Sequence, residues 1–329
     1  MESNPKRPSV STINDQGSPT QQSNSDGPDS PVIRDYNEDD YRRNWQKRSS
    51  DFTHRFERAV IGSLLPAQDG WWVDVGAGYG RIVPMYQRPG RKIVLVDYAM
   101  NLLEMAVEKN PNPNTHFVAA NAYHLPFRDR SFDAALSIHL FAHINAPDRF
   151  LGEMARVVRD GSRMVVEYPN KRSFVRVMKD GLRAFESSRE QFGDLFYGTH
   201  PAMFEEMCER AGLQVLNTKG SGYLGRLLEK APFLDLPLRA LEFAAMNAPL
   251  TRAMAPRNFA QLVKQSVNGP DEESTRAESI LDILACPVCR QPLTEVGDDG
   301  LKCATGEHEF EKNGRIFDLR YSAGADLQI

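Results

Sequence analysis

The fold is decided by the stretch Trp71-Trp72-Val73-Asp74-Val75-Gly76-Ala77-Gly78-Tyr79-Gly80. It joins a short apolar run to a glycine-rich turn, and residues 79–86 continue with apolar side chains at helical spacing. A strand, a tight turn and a helix in this order begin a βαβ unit. Because glycine has no Cβ atom, such a turn brings backbone N–H groups and a helix N-terminus close to a ligand. We therefore predict a ligand site at this turn.

Apolar runs and helical patterns keep alternating beyond the turn. The spacing predicts strands at residues 92–96, 116–118, 132–138 and 163–168, with helices at 100–109 and 147–158. Five strands alternating with helices predict an α/β fold, in which a parallel sheet carries helices on both faces. A helix at residues 201–211 and strands at 213–218 and 258–265 extend the pattern.

Changes in composition divide the chain into a large domain and a small C-terminal unit. Polar segments that lack apolar periodicity cannot bury enough surface to offset the entropy of ordering. The predicted boundaries are a disordered tail at 1–34, the large domain at 35–267, a linker at 268–278, a small unit at 279–321 and a tail at 322–329. Within the large domain, we predict an irregular substrate-side insertion at residues 170–200 and further helix at residues 223–253. We place Cys208 in the core.

Composition and charge exclude several classes of protein. Apolar residues make up 41% and charged residues 26% of the chain, and no stretch approaches the roughly 20 apolar residues of a membrane-spanning helix. The net charge of -4 offers no broad attraction for nucleic acid. The first residues lack the apolar core of a secretory signal and the chain has only 4 cysteines, so we predict a cytoplasmic location.

Two carboxylates indicate which ligand the turn binds. The spacing is Gly-x-Gly-x-Gly rather than the Gly-x-Gly-x-x-Gly of dinucleotide sites, and Asp74 precedes the first glycine by two residues. Asp74 can meet an ammonium group, whereas it would repel a pyrophosphate. Asp97 ends the second predicted strand, where it can accept hydrogen bonds from both hydroxyls of a ribose. The alternative for each is structural, since Asp74 can cap the turn and Asp97 the helix that follows.

These segments resemble the class I S-adenosylmethionine-dependent methyltransferases, of the type that acts in ubiquinone biosynthesis. Residues 73–81 and 94–97 carry the resemblance, and residues 121–127 with 131–133 resemble the family's adenine-binding segment. The family often has Asp where this chain has Asn121, which keeps an acceptor oxygen but removes a charge; Asn is also common in loops for backbone reasons. The resemblance implies a Rossmann-like sheet and these cofactor-binding residues: Asp74, Gly76, Ala77, Gly78, Gly80, Asp97, Tyr98, Asn121 and Ala122.

A general base is optional in such a reaction, because the sulfonium is already a strong electrophile and alignment with the nucleophile can suffice. If the acceptor carries an acidic group, His139 is our candidate base, since it lies where the fourth strand ends at the ligand edge. We interpret His143 as structural. Glu167, Tyr168 and His200 are further candidates, each of which can equally be a capping or strand-end residue.

The C-terminal unit contains a candidate metal site. Cys286-Pro287-Val288-Cys289 is a C-x-x-C pair, and Cys303 and His308 follow a predicted hairpin turn, which predicts a Cys₃His zinc site. Residues 283–289, 301–303 and 313–317 resemble the zinc-ribbon activator subunit of tRNA and release-factor methyltransferases. That family's second pair is usually another C-x-x-C, and Gly306 occupies the expected position here, so His308 must substitute. The alternative is a ribbon that folds without metal.

Three functions remain open from the sequence. The first is a methyltransferase for a small-molecule or lipid-like acceptor, favoured by the aromatic and aliphatic character of residues 170–255. The second is a methyltransferase for RNA or a translation protein, suggested by the ribbon and by the basic residues Lys171, Arg172, Arg176, Lys179 and Arg183. The third is a non-catalytic S-adenosylmethionine-binding regulatory module. The oligomeric state is not predicted.

Overall fold

The structure, a computed structural model, describes residues 51–193, 196–223, 240–245, 254–266 and 277–321. The predicted tails at 1–34 and 322–329 lie outside these residues. So do most of the predicted linker at 268–278 and most of the predicted helical stretch at 223–253.

A parallel sheet forms the centre of the large domain, as the sequence predicts. Its five parallel strands lie side by side in the order β3-β2-β1-β4-β5. Their bounds are β1 Gly70–Val75, β2 Arg91–Asp97, β3 Thr115–Ala119, β4 Phe132–Ser137 and β5 Val158–Pro169. Two later strands, β8 (Leu213–Ser221) and β9 (Arg257–Lys264), extend the sheet antiparallel beyond β5 in the order β5-β9-β8.

Helices cover both faces of this sheet because successive strand residues point to opposite sides. On one face, Trp72 and Leu95 pack with residues of α1 and α3; on the other, Val73 and Val94 pack with residues of α4 and α6, including the buried Cys208. Six α-helices are α1 Asp51–Leu64, α2 Val83–Tyr86, α3 Met100–Lys109, α4 Pro147–Val157, α5 Phe174–Asp180 and α6 Pro201–Arg210. Residues 240–245, within the predicted helical stretch at 223–253, are also helical. The predicted α/β architecture and the core position of Cys208 are confirmed.

Helix α2 is shorter than the sequence predicts. The apolar spacing indicates a helix over residues 79–86, but α2 begins only at Val83. Gly78 and Gly80 have φ angles of 53° and 72°, which a right-handed helix does not contain. Residues 79–82 therefore belong to the turn.

The insertion after β5 contains short helices and a hairpin. A 3₁₀ turn at Gly181–Phe185 follows α5, and β6 (Arg189–Gly193) pairs antiparallel with β7 (Phe196–Thr199). Arg189 donates to the carbonyl of Phe141, 2.9 Å away, and the ring of Phe196 lies 5.7 Å from that of His143. The insertion thus packs on the loop that follows β4.

The C-terminal unit continues the central sheet. Its strands β10 (Leu293–Val296), β11 (Gly300–Cys303), β12 (Glu309–Asn313) and β13 (Ile316–Asp318) form an antiparallel meander. β13 then pairs parallel with β3, which gives one sheet of 11 strands. The sequence indicates a separate small unit, and nothing in its local pattern predicts this pairing.

Side chains reinforce the attachment of the C-terminal unit. Arg315 donates to the carbonyls of Asn112 and Thr115, both at 3.1 Å. Arg290 pairs with Glu153 of α4 at 3.1 Å. The two units therefore share backbone pairing, buried apolar surface, hydrogen bonds and an ion pair.

Candidate active site

A cleft opens at the carboxyl ends of β1, β2 and β4. The chain order of the parallel strands reverses between β1 and β4, which is where open α/β sheets bind ligands. The cleft encloses about 760 Å³ of non-protein space, part of it open to solvent. Its lining includes these predicted site residues: Gly76, Gly78, Asp97, Tyr98, Asn121, Ala122 and His139. A smaller pocket beside it is lined by Asp74 and Ala77. Gly80 lines neither pocket, and a Cβ atom there would lie 2.7 Å from the side-chain nitrogen of Asn110.

The glycine turn adopts a backbone that other residues rarely tolerate. Gly76, Gly78 and Gly80 have φ angles of 78°, 53° and 72°, all in the left-handed region. A Cβ atom on Gly76 would lie 2.7 Å from Cβ of Leu140, so only glycine allows this close packing. The turn therefore follows the end of β1 closely, and Gly76 N donates to Val96 O at 2.8 Å.

Asp97 is held at the end of β2 by two backbone groups. One carboxylate oxygen accepts from Gly78 N at 2.7 Å and the other from Ala99 N at 3.0 Å. These contacts tie the second strand to the glycine turn. A carboxylate has about four acceptor positions, so Asp97 retains acceptor capacity toward a ligand in the cleft.

Asp74 is a buried carboxyl group that accepts a hydrogen bond from a tyrosine. Tyr86 donates its hydroxyl to Asp74 at 2.6 Å, a contact that the sequence reasoning does not contain. Burial raises the pKa of Asp74 to about 7; the Tyr86 hydrogen bond opposes the rise and the charge of Asp97 adds to it. A cation placed in the adjacent pocket would stabilise the ionised form.

Asn121 connects the cleft to the C-terminal unit. Its side-chain oxygen accepts from Tyr123 N at 2.9 Å, and its amide donates to the carbonyl of Tyr321 at 3.2 Å. Asn121 therefore bonds to the backbone and also lines the cleft, so its position is compatible both with a role in holding the loop and with adenine binding. Ala122 follows it along the cleft wall.

His139 is part of a buried cluster of charged groups between the cleft and α1. Its Nε2 lies 3.0 Å from Glu57 Oε1, and its Nδ1 lies 2.6 Å from Arg257 Nη1. Glu167 accepts from the backbone N–H of His139 at 3.0 Å and from Arg257 at 2.8 Å. Arg81 completes the group by pairing with Glu57 at 2.5 Å. We call Glu57, Arg81, His139, Glu167 and Arg257 the charge cluster.

The pKa values of the charge cluster are set by its internal pairing. Burial alone lowers the pKa of His139, but the carboxylates of Glu57 and Glu167 raise it above its ordinary value against the opposing charge of Arg257. Burial raises the pKa of Glu167, and Arg257 and His139 more than offset this, so that the pKa falls to about 2. The backbone of His139 has a φ of 66°, a strained conformation for a residue with a Cβ atom.

Sequence reasoning misses Glu57, Arg81 and Arg257. A signal for Glu57 is present, because this charged residue shares the apolar face of α1 with Val60, Ile61 and Leu64 and is 4% exposed. Arg257 gives no such signal, since it starts β9 and reaches its partners only through the fold.

The remaining candidates have identifiable structural contacts. His200 caps α6, where its Nδ1 accepts from Ala202 N at 3.3 Å. Tyr168 stacks on Phe204 with ring centroids 4.0 Å apart. His143 lines the cleft and contacts Phe196.

The structure brings the four predicted metal ligands together. The ligand atoms of Cys286, Cys289, Cys303 and His308 all lie within 4.8 Å of one another, and Cys303 Sγ is 3.5 Å from His308 Nδ1. Tetrahedral zinc with bonds of about 2.0–2.3 Å needs ligand atoms under about 4 Å apart. The cluster fits a structural zinc ion after small shifts, with His308 at the fourth position and Gly306 outside the group.

Comparison with known proteins identifies both units. Residues 73–166 match the family model described as a methyltransferase domain. This stretch is therefore similar to a methyltransferase domain. Residues 278–310 match the model of Trm112p-like proteins, so a Trm112-like region follows the methyltransferase domain in the same chain. S-adenosylmethionine is the cofactor of this methyltransferase fold.

Two curated relatives of residues 73–166 carry names from quinone methylation. A demethylmenaquinone methyltransferase of Renibacterium salmoninarum is 33% identical over 114 residues, which cover 35% of this chain and 47% of that protein. A ubiquinone/menaquinone biosynthesis C-methyltransferase of Hahella chejuensis is 33% identical over 101 residues, 29% of this chain and 41% of that protein. The chain thus spans less than half the length of these curated relatives.

Solved structures support the fold. A putative S-adenosylmethionine-dependent methyltransferase from Listeria monocytogenes superposes with a TM-score of 0.51 at 15% identity, covering 66% of this chain and 100% of the other. Among the described residues, no helix is both long and apolar enough to cross a bilayer.

Proposed function

We propose that this chain binds S-adenosylmethionine in the cleft and transfers its methyl group to a small-molecule or lipid-like acceptor. The observation that carries the proposal is the glycine turn, whose left-handed backbone and fixed Asp97 line one cleft at the sheet's switch point. That cradle fits the cofactor because the carboxylates of Asp74 and Asp97 line the two pockets, where they can accept hydrogen bonds from the ammonium and the ribose hydroxyls.

Each predicted cofactor residue has a distinct task in this proposal. Asp74 holds the methionine ammonium from the smaller pocket, and Asp97 accepts from the ribose hydroxyls. Asn121 accepts from the adenine amino group, while Tyr98 and Ala122 bound the adenosine. Gly76, Ala77 and Gly78 line the two pockets and let the backbone pass close to the methionine portion, while Gly80 allows the turn to pack against Asn110.

The bound cofactor supplies an electrophilic methyl group. The acceptor's electron pair forms the new bond to the methyl carbon while the carbon–sulfur bond breaks, and that electron pair stays on sulfur. The chain aligns the two reactants in the cleft. A proton lost from the acceptor needs a base, and His139 remains our predicted base. To act as the base, His139 must give up one of its two contacts, with Glu57 or with Arg257, and contact the acceptor instead.

The acceptor class is inferred from the cleft wall and the curated relatives. Leu140 and Ile144 line the cleft beside His143, which favours an apolar ring over a phosphate backbone. The named relatives methylate demethylmenaquinone or act in ubiquinone and menaquinone biosynthesis. A quinol precursor is therefore the acceptor we would test first. A cytoplasmic location remains a prediction.

Two measurements test this function. Calorimetric titration with S-adenosylmethionine should show binding at one site per chain, weakened by Asp97→Ala. Incubation with methyl-labelled cofactor and demethylmenaquinol, then with fractionated cell extract, should place label in organic-extractable material. Label in RNA or in protein would instead support the runner-up function, and binding without any label transfer would support a regulatory module.

We also propose that Cys286, Cys289, Cys303 and His308 hold one zinc ion that stabilises the Trm112-like region. The buried core of this region is small, so a metal would contribute much of its folding energy. Purified protein should contain one zinc per chain, and Cys286→Ser should lose the zinc and lower the melting temperature. A metal-free chain that melts like the zinc-loaded protein would refute this assignment.

A further inference from the structure

Exposed apolar side chains are concentrated on the insertion after β5. Nine large apolar side chains among the described residues are exposed, and five of them lie between Phe174 and Phe185. Met178 and Leu182 are 74% and 87% exposed. No residue of α5 is buried, whereas Ala184 in the following 3₁₀ turn is fully buried. The segment therefore has a buried anchor at Ala184, while its large apolar side chains face outward.

Basic residues alternate with these apolar side chains. Arg172, Arg176, Lys179 and Arg183 fall in the same stretch, with Asp180 as the acidic residue among them. The guanidinium of Arg176 lies over the ring of Phe192 at 3.2 Å and pairs with Asp180. Lys179 and Arg183 are exposed. The segment is thus a cationic and apolar surface on a chain whose net charge is -4.

This surface adjoins the cleft. Helix α5 begins soon after β5 ends at Pro169, on the edge of the sheet that carries the ligand site. The N–H of Phe174 donates to the carbonyl of Met254 at 3.0 Å, close to the start of β9 and to Arg257 of the charge cluster. The same insertion reaches His143 in the cleft wall through Phe196.

We propose that residues 174–185 dock the enzyme on a negatively charged lipid bilayer. Exposed Phe, Met and Leu side chains enter the boundary between headgroups and acyl chains, while Lys179 and Arg183 meet anionic headgroups. RNA would use the basic residues but would leave the exposed apolar side chains in water. The inference deepens the proposed lipid-like acceptor, because docking would hold the cleft beside the pool of such an acceptor.

The test is sedimentation of the full chain with vesicles of phosphatidylcholine, alone or mixed with phosphatidylglycerol. The wild type should bind the mixed vesicles, and more weakly at high salt. Lys179→Gln combined with Arg183→Gln should reduce binding about 25-fold, since each basic residue near an anionic surface contributes about fivefold. Met178→Ser combined with Leu182→Ser should reduce it at least about tenfold.

Matched controls separate this surface from general charge and stickiness. Arg58→Gln with Arg210→Gln removes two exposed basic residues elsewhere, and Val296→Ser removes an exposed apolar residue of the C-terminal unit; both should bind as the wild type does. All variants alter exposed side chains, and Arg210 loses only an exposed pair with Asp148, so melting temperatures should fall by no more than about 4 °C.

Three results would overturn the docking proposal. The first is that the wild-type protein binds neither kind of vesicle. The second is that the control variants lose binding as the insertion variants do. The third is that the wild type binds RNA but no vesicles, and that Lys179→Gln with Arg183→Gln abolishes the RNA binding. Cofactor titration of the same samples keeps the two proposals apart. Vesicle binding without S-adenosylmethionine binding would refute the proposed function and leave the docking surface intact.

Discussion

The glycine turn and the charge cluster border the same cleft but are built in opposite ways. The turn is contiguous, and its shape depends on the backbone of three glycines within residues 76–80. The charge cluster is assembled from side chains as far apart in the chain as Glu57 and Arg257. The glycine turn can therefore be predicted from a short motif, whereas the charge cluster forms only when α1, β4, β5 and β9 are folded together.

The difference also concerns energetics. Beside the turn, the carboxylates of Asp74 and Asp97 line the two pockets and keep acceptor positions for a ligand, so substitutions there should affect binding first. The charge cluster satisfies its groups internally, and removing one partner leaves a buried charge unpaired. If this contrast holds, variants of the two regions should separate cofactor affinity from stability.

The largest expected effect is on stability, from Glu167→Ala. Glu167 is fully buried and pairs with Arg257 at 2.8 Å. Its loss leaves Arg257 and His139 facing each other, so we expect a destabilisation of about 3–5 kcal/mol in denaturant unfolding. The matched control is Asp148→Ala, which breaks an exposed pair with Arg210 and should cost under about 1 kcal/mol. Equal losses in the two variants would contradict the contrast.

The second effect is a pH dependence from Asp74. Its pKa is about 7 in the folded protein against 3.8 for an ordinary Asp, so the folded state binds the proton more tightly. The free energy of unfolding contributed by this group is fully present below about pH 4 and is lost as the pH rises to about 7. The loss should amount to about 4 kcal/mol, because each pKa unit corresponds to about 1.4 kcal/mol.

Asp74→Asn should remove this part of the pH profile, measured by urea unfolding across that range. Excess S-adenosylmethionine should have a similar result in the wild type, because its ammonium would stabilise the ionised carboxylate. A variant whose profile matches the wild type would show that Asp74 titrates normally.

The third effect is on cofactor affinity, from Asp97→Ala. Hydrogen bonds to a charged group contribute about 1.5–3 kcal/mol, so the Kd for S-adenosylmethionine should rise roughly 10- to 100-fold. Loss of the contacts to Gly78 and Ala99 should cost only about 1 kcal/mol of stability. The informative comparison is with Glu167→Ala, for which we expect the opposite ranking of the two losses.

The smallest effect is expected from Asn121→Ala. Its oxygen already accepts from Tyr123 N, so we expect the Kd to rise by less than about tenfold, the value of one neutral hydrogen bond. Asn121→Asp is the matched variant, and it should bind the cofactor at least as tightly as the wild type if this residue meets the adenine amino group. Weaker binding by that variant would assign Asn121 to the backbone instead.

The parts of the fold and site that follow a local sequence pattern could be predicted from the sequence. Alternating apolar runs predicted β1 to β5, and the C-x-x-C pair with Cys303 and His308 predicted the group that the structure assembles. Sequence reasoning overextended α2 because apolar spacing does not register the left-handed backbone at Gly78 and Gly80. It missed Arg257, whose partners are set by strand order, and the pairing of β13 with β3, which joins residues distant in the chain.

The pairing of β13 with β3 has a consequence for biosynthesis. β3 is complete once residue 119 has been made, but its outer edge receives a partner only when residues 316–318 leave the ribosome. Until then a row of unpaired amide and carbonyl groups lies at the rim of a nearly finished sheet, which is a template for pairing with other chains. Premature termination before β13 would therefore yield an aggregation-prone polypeptide even though every residue of the cleft had already been translated.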